Sequence, residues 1–126
     1  TLLELLGEPI PEGLHGQSRV DVLRGEATLH DNDVFMMHNG IGDRDLGNPL
    51  INTMNDLPWR SVVTADRWKL NLCAGDQCEL FDLNADPIEE HNLFNDPTYR
   101  DRIRLMAAKI RLWQHKVGDD APLPSV

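Results

Sequence analysis

This sequence of 126 residues has no long apolar run, no excess of basic residues and only two cysteines. No apolar run approaches the roughly 18 residues of a membrane-spanning helix, so we expect no membrane partner. Lys and Arg number 12 against 21 Asp and Glu, which gives a formal net charge of −9. Because this negative charge repels phosphate backbones and anionic lipid, we expect no nucleic-acid partner either.

The start of the chain lacks an initiator Met and the basic segment of a signal peptide. Its Leu-rich first residues, which end at Gly7, are too few for an independent helix. They favour the last turns of a longer helix whose beginning is missing. Loss of that packing partner would leave an apolar patch and favour self-association. This N-terminal Leu patch consists of Leu2, Leu3, Leu5 and Leu6.

Two cysteines are too few for a disulfide scaffold. Cys73 and Cys78 flank a four-residue segment, and in a hairpin they would face each other at bridging distance. The alternative is a pair of reduced thiols, and the sequence leaves both open. The compartment, cytoplasmic or periplasmic and secreted, is therefore open as well.

The remaining composition, 40% hydrophobic and 26% charged, is typical of one globular domain. Short apolar runs bounded by turn residues predict four strands, and short turns between three of them favour antiparallel pairing. We expect these strands at 34–38, 60–64, 67–72 and 79–83. The long stretch 40–58 has no periodicity and predicts an irregular loop. A short helix is expected to begin at Ser18 and end at Gly25.

The strongest helix signal lies near the C-terminus. Asp96 is a suitable N-cap, Pro97 suits the first helical position, and Gly118 marks the end. Between them, apolar residues recur at steps of four and three, which predicts one buried face. This stripe comprises Tyr99, Ile103, Met106, Ile110, Trp113 and Val117.

Together these elements predict an α+β domain, in which a small antiparallel sheet of about four strands is covered by the long C-terminal helix. We expect one domain over 1–126, with a connector and short helices at 1–30, the sheet plus helix at 33–118, and a tail at 119–126. The three tryptophans, Trp59, Trp68 and Trp113, are expected to be core residues rather than a stacking platform.

Few residues indicate chemistry. Residues 82–86 imitate the opening of a calcium loop, but Pro87 and Leu93 occupy the positions that need Gly and Glu, which favours an Asx-type turn. His38 ends a strand where a long loop begins, so it is either a substrate-facing residue or a partly exposed strand-end histidine. A small independent enzyme would have to combine His38 with loop carboxylates such as Asp43 or Asp45. We assign no catalytic and no metal-binding residue.

A set of short motifs spans nearly the whole chain, and each motif is weak alone. They are Thr1-Leu2-Leu3-Glu4-Leu5-Leu6-Gly7, Gly13-Leu14-His15-Gly16-Gln17-Ser18, Leu23-Arg24-Gly25, Arg60, Thr64-Ala65-Asp66-Arg67-Trp68-Lys69-Leu70, Glu79-Leu80-Phe81-Asp82-Leu83, Asp86-Pro87, Glu89-Glu90-His91-Asn92-Leu93, Asp96-Pro97 and Trp113. In this collinear order they resemble the C-terminal end of sulfatases, in the alkaline-phosphatase superfamily.

The resemblance implies a parent enzyme that hydrolyses sulfate esters. Sulfatases use a formylglycine, made from Cys or Ser in a Cys/Ser-x-Pro/Ala-x-Arg motif, beside a divalent cation that is usually calcium. Neither Cys73 nor Cys78 is followed by that pattern. The resemblance therefore implies that the formylglycine and calcium belong to an upstream portion, and that this chain carries no cofactor of its own.

The resemblance further implies the smaller C-terminal subdomain, docked on an N-terminal catalytic domain and bordering the cleft for a sulfated small molecule or glycan. On that basis His38, Asn39 and Arg60 are candidate substrate-side residues, although Arg60 is equally suited to a structural role. We expect the C-terminal portion of a sulfatase that is inactive alone. The alternative is a stand-alone, non-catalytic binding or assembly module derived from a sulfatase.

Overall fold

A computed structural model describes residues 1–29, 32–40, 42 and 44–126. Within these ranges the residue contacts divide the chain into two units, Thr1–Asn32 and Asp33–Val126. His30 and Asp43 lie outside the described residues, so the structure carries no information on Asp43 as a loop carboxylate. No described helix combines the length and the hydrophobicity needed to cross a membrane.

The first unit contains two single-turn helices, α1 (Leu2–Leu5) and α2 (Val20–Leu23). The backbone N–H of Arg19 donates to Thr1 Oγ1 at 2.9 Å, which ties the segment before α2 to the start of the chain. The hydroxyl of Ser18 accepts from the N–H of Val20 at 3.4 Å, so α2 begins two residues after the predicted N-cap.

The second unit is built on four strands, β1 (Val34–His38), β2 (Trp59–Val63), β3 (Trp68–Cys73) and β4 (Glu79–Asp82). Their order in the sheet is the same as their order in the chain, and every neighbouring pair is antiparallel. Each lies within one residue of its predicted bounds, which confirms the α+β class and the four-stranded sheet.

The predicted irregular loop 40–58 is wrong in part, because it contains a helix, α3 (Pro49–Asn55). Asn48 caps it: its side-chain oxygen accepts from the N–H groups of Leu50 and Ile51, and Pro49 occupies the first helical position. An Asn followed by Pro is a known helix-start signal, so the sequence contained the information for this helix.

The C-terminal helix begins as a 3-10 turn at Pro97–Tyr99 and continues as α4 (Arg100–Val117). A carboxylate oxygen of Asp96 accepts from the N–H of Thr98 at 2.9 Å, as expected for an N-cap. Gly118 adopts the left-handed conformation, with φ 69, that ends many helices. The predicted caps and end of this helix are confirmed.

The core lies between α4 and one face of the sheet. Ile103, Met106 and Ile110 of α4 are buried, and the ring of Trp113 stacks on Phe35 of β1 with centroids 5.4 Å apart. The sheet contributes alternate residues of its three later strands to the same cluster. They are Val62, Leu70, Leu72 and Leu80.

Candidate functional site: a polar groove on the open face of the sheet

The face of the sheet that points away from α4 carries a continuous cross-strand row. Met36 pairs with Ser61, Ser61 pairs with Asn71, and Asn71 pairs with Glu79, so one residue from each strand takes part. Because side chains alternate between the two faces of a strand, these four point to the same side. From β2 onward the residues of this row are polar, whereas Val62, Leu70 and Leu80 on the opposite face belong to the core cluster.

This row forms the floor of a groove of about 520 Å³. Its walls come from the neighbouring row of the sheet, from the segment before β2, and from the turn between β3 and β4. The lining residues are Met36, Leu57, Trp59, Ser61, Lys69, Asn71, Cys73, Asp76, Gln77 and Glu79.

Hydrogen bonds order the polar floor of the groove. The hydroxyl of Ser61, which is 1% exposed, donates to the side-chain oxygen of Asn71. The amide nitrogen of Asn71 in turn donates to Glu79 Oε2 at 2.8 Å. The link fixes the orientation of the Asn71 amide, because its oxygen faces Ser61 and its nitrogen faces Glu79.

One charged pair lies beside the floor. Lys69 Nζ is 2.6 Å from Glu89 Oε2, so its charge is offset by a carboxylate outside the lining. Asp76 and Glu79 supply two negative charges to the lining itself. The groove therefore carries a net negative charge.

Trp59 forms one wall of the groove. It is 37% exposed, so the expectation that it is a core residue is wrong. Its indole N–H has no hydrogen-bond partner among the described residues. The ring of His38 stacks against it, with centroids 5.7 Å apart and 24° between the planes. His38 Nε2 donates to the carbonyl of Asn55 at 3.0 Å, so α3 holds the imidazole in place behind the tryptophan.

Arg60 lies on the opposite face of the sheet and is 2% exposed. Its guanidinium binds both carboxylate oxygens of Asp119, at 2.6 and 2.7 Å, in the bidentate geometry that suits this pair. The hydrogen bonds from Arg60 hold the pKa of Asp119 well below its usual range.

Arg60 also brings the three candidate substrate-side residues together. Its remaining N–H groups donate to the carbonyls of His38 and Trp59, at 2.8 and 2.9 Å, and to Asn39 Oδ1 at 2.8 Å. All five guanidinium donors are thus engaged within the chain, which matches the structural alternative. The substrate-side role of His38, Asn39 and Arg60 stays a prediction.

The two cysteines are free thiols in the structure, and both are buried. Cys73 lines the groove on the open face, while Cys78 belongs to the core cluster on the other face. The hypothesis that they face each other is wrong, because the pairing of Asn71 with Glu79 places them on opposite sides. Burial raises the pKa of the Cys78 thiol, which keeps it protonated and unreactive.

The segment that imitates a calcium loop is a turn. Asp82 accepts from the N–H of Asn84 at 3.0 Å, and Asp86 accepts from the N–H groups of Glu90 and His91 at 3.1 and 2.8 Å. Asp86, Glu90 and His91 also form an acidic cluster whose possible ligand atoms lie within 4.8 Å of one another. Calcium takes oxygen ligands, whereas this set includes a histidine, and neither Cys73 nor Cys78 begins a formylglycine motif. The residues here therefore do not fit the calcium and formylglycine centre that the resemblance implies for the upstream portion.

Sequence reasoning named Trp59 and Cys73 but assigned no binding role to any residue of the groove. In β3 the apolar residues Trp68, Leu70 and Leu72 alternate with Lys69 and Asn71, and this alternation is the signal that the two polar residues share the other face. The cross-strand partners of Asn71 depend on strand register, which short runs do not determine.

No protein-family model matches the chain. A protein of unassigned function from Haemophilus influenzae is 29% identical over 119 residues, which are 94% of this chain and 55% of that protein. An ulvan-active sulfatase from Formosa agariphila is 41% identical over 46 residues, which are 36% of this chain and 8% of the enzyme. The chain thus spans only part of each curated relative.

Solved sulfatase structures match the fold. A protein from Bacteroides thetaiotaomicron assigned as a sulfatase, and a 2-O GAG sulfatase, each superpose on 100% of this chain with a TM-score of 0.74 and 24% identity. A sulfatase in complex with its substrate, D-glucosamine-2-N,6-O-disulfate, covers 97% of the chain with a TM-score of 0.74 and 22% identity. The chain accounts for 26%, 26% and 24% of those three proteins.

Proposed function

We propose that this chain, which has the fold of the C-terminal subdomain of sulfatases, is the C-terminal portion of a sulfuric ester hydrolase. In this role it completes the fold of the parent, borders the substrate cleft and is not catalytic alone. The observation that carries the proposal is the match over 100% of the chain to about a quarter of two sulfatase structures. The collinear motifs, from Arg60 to Trp113, support it independently.

The bond-breaking groups would belong to the upstream portion of the parent. Calcium and the formylglycine nucleophile are the groups that the family implies, and they would supply charge stabilisation and the attacking hydroxyl there. This chain would form part of the border of the substrate cleft beside that centre. We derive no catalytic step from its own residues.

The substrate class we propose is a sulfated carbohydrate. Three matched proteins point in this direction, since one is named as ulvan-active, one as a 2-O GAG sulfatase, and one was solved with a disulfated glucosamine. The sulfated position and the sugar belong to those proteins and are not transferred to this chain.

The gene provides the first test. The roughly 300 to 400 codons expected upstream, from the usual size of a large α/β domain, should encode a Cys/Ser-x-Pro/Ala-x-Arg motif in the same reading frame. The product of that whole frame should hydrolyse an aryl sulfate in the presence of calcium, and the 126-residue chain alone should not. Turnover by the isolated chain that is lost on mutating one of its own residues would contradict the proposal.

The alternative function, a stand-alone binding or assembly module, is favoured by one observation. The Haemophilus influenzae relative is matched over 55% of its length, whereas the sulfatase structures are matched over about 26%. That relative is therefore less than half as long as the sulfatases. A shorter protein in which the matched segment makes up about half of the length is closer to a detached module than the sulfatases are.

The same gene survey separates the two functions. A native start codon directly before Thr1, with no sulfatase motif in frame, would favour the module. A purified module would be folded and monodisperse without a larger partner, which circular dichroism and sedimentation measure directly.

A further inference from the structure

We propose that the groove on the open face of the sheet binds an uncharged sugar unit of a glycan, next to the unit that carries the sulfate ester. The inference rests on the proposed function and adds to it the part of the substrate that this chain would contact. It is carried by three features of the groove: a partly exposed indole, unpaired polar atoms and the sign of the charge.

The indole of Trp59 supplies an apolar wall. Its exposed fraction of 37% leaves part of the ring open to a ligand, while the stacked His38 and its bond to Asn55 hold the other side. The C–H groups on one face of a pyranose ring can pack against an aromatic ring. A ring that is already held in position loses little conformational entropy when it binds.

Polar atoms with spare hydrogen-bonding capacity surround this wall. The side-chain amide of Gln77 and the indole N–H of Trp59 make no hydrogen bond to any described residue, and Glu79 uses one carboxylate oxygen for Asn71. Sugar hydroxyls both donate and accept, so they match a lining that offers both amide donors and carboxylate acceptors. The volume of about 520 Å³ lies within the usual range for small-ligand sites.

The charge of the groove selects against the sulfate itself. Asp76 and Glu79 line it, and the positive charge of Lys69 is offset by Glu89 at 2.6 Å. An anionic ligand would meet net repulsion here, whereas a neutral sugar would not. The sulfate-bearing unit must therefore lie outside the groove.

The direct test is a nuclear magnetic resonance titration of the labelled 126-residue chain. The probes are the tetrasaccharides of N-acetylglucosamine, β-1,4-glucose and xylose, with D-glucosamine-2-N,6-O-disulfate as the anionic comparison. At least one neutral probe should shift the Trp59 indole signal and the Asn71 or Gln77 amide signals. If none shifts them at millimolar concentration, or the disulfate shifts them as strongly, the proposal is overturned.

Variants connect any binding to the groove. Trp59→Ala should weaken the binding of the neutral probe at least fivefold, whereas Leu112→Ala, on the exposed surface of α4, should leave it unchanged. Glu79→Gln keeps an acceptor for Asn71 and removes one negative charge from the lining, so it should raise the affinity for the disulfate severalfold. Binding that is insensitive to Trp59→Ala would overturn the proposal.

The competing occupant is the larger portion of a parent sulfatase. If the chain alone binds the neutral probe but the full-length protein does not, the groove is covered in the parent and the sugar assignment is wrong. The aryl sulfate assay is independent of this titration. The groove can therefore fail as a sugar site while the sulfatase assignment stands, and the reverse also holds.

Discussion

At the residue scale, the Arg60–Asp119 pair shows why a charged residue in a strand is hard to interpret from sequence. An arginine near a long loop is compatible with anion binding, and its burial and its partner 59 positions away become visible only in the fold. Asp119 follows the Gly118 that ends α4, so the pair attaches the residues after the helix to β2. The contact thus joins the end of α4 to the sheet.

Asp119→Asn should destabilise this unit by about 2–3 kcal/mol, because it replaces the carboxylate that accepts two hydrogen bonds from a buried guanidinium by a neutral amide. The matched control is Asp101→Asn. Asp101 is paired with Arg104 at 3.3 Å, but it is 98% exposed, so its loss should cost less than about 0.5 kcal/mol. Urea unfolding at pH 7 measures the free energy of unfolding of both variants. Equal losses would show that the buried pair stabilises the fold no more than the exposed one.

The pH dependence of the same pair has a definite sign. The pKa of Asp119 is lowered in the folded state, so its stabilising effect is complete above the unfolded pKa near 3.9 and declines as the pH falls below it. The difference in unfolding free energy between the parent chain and Asp119→Asn should therefore shrink from pH 5 to pH 2. A difference that stays constant over this range would contradict the ion pair.

The cysteines allow a second test at this scale. Because Cys73 and Cys78 lie on opposite faces of the sheet, mild oxidation of the folded chain should leave both as thiols. Intact-mass measurement after alkylation in denaturant should then find two alkylated cysteines. A product two mass units lighter and without alkylation would reveal an intramolecular disulfide and contradict the register of β3 and β4.

At the element scale, the helix and the strands that depend on local periodicity could be predicted from the sequence. The apolar stripe from Ile103 to Trp113 determines α4 because residues three and four apart share one helix face. The strands follow from alternation and turn residues for the same local reason. Residues 40–58 show no such period, so α3, whose start is marked only by Asn48 and Pro49, was missed.

The end of α4 depends on one backbone conformation. Gly118 has φ 69, so Gly118→Ala should cost about 1 kcal/mol through the strain of a left-handed residue, whereas Gly118→Asn should cost less. Gly16→Ala is the control, since Gly16 has open space around it and no positive φ. Thermal unfolding measures all three, and equal melting temperatures would contradict the role of the left-handed cap.

At the scale of the whole molecule, the candidate site depends on register more than on composition. Trp59, Asn71 and Glu79 come from three different strands, and none belongs to a catalytic or metal-binding motif. Antiparallel pairing places them on one face with the hydrogen-bonded floor that Ser61 begins. Sequence periodicity can identify two faces of a sheet, but the pairing decides which side chains become neighbours.

The N-terminal Leu patch gives the last prediction at this scale. Leu2, Leu5 and Leu6 are 77%, 51% and 75% exposed, so their apolar side chains face solvent in the chain alone. Because contiguous exposed apolar surface favours association, we expect the sedimentation coefficient of the 126-residue chain to rise with concentration. The double substitution Leu2→Ser and Leu6→Ser should abolish this rise, whereas Leu105→Ser with Leu112→Ser, at two exposed residues of α4, should not. The patch does not mediate contact between copies if the chain is a monomer at every concentration. The same holds if the Leu105→Ser and Leu112→Ser substitutions, rather than those in the patch, abolish the rise.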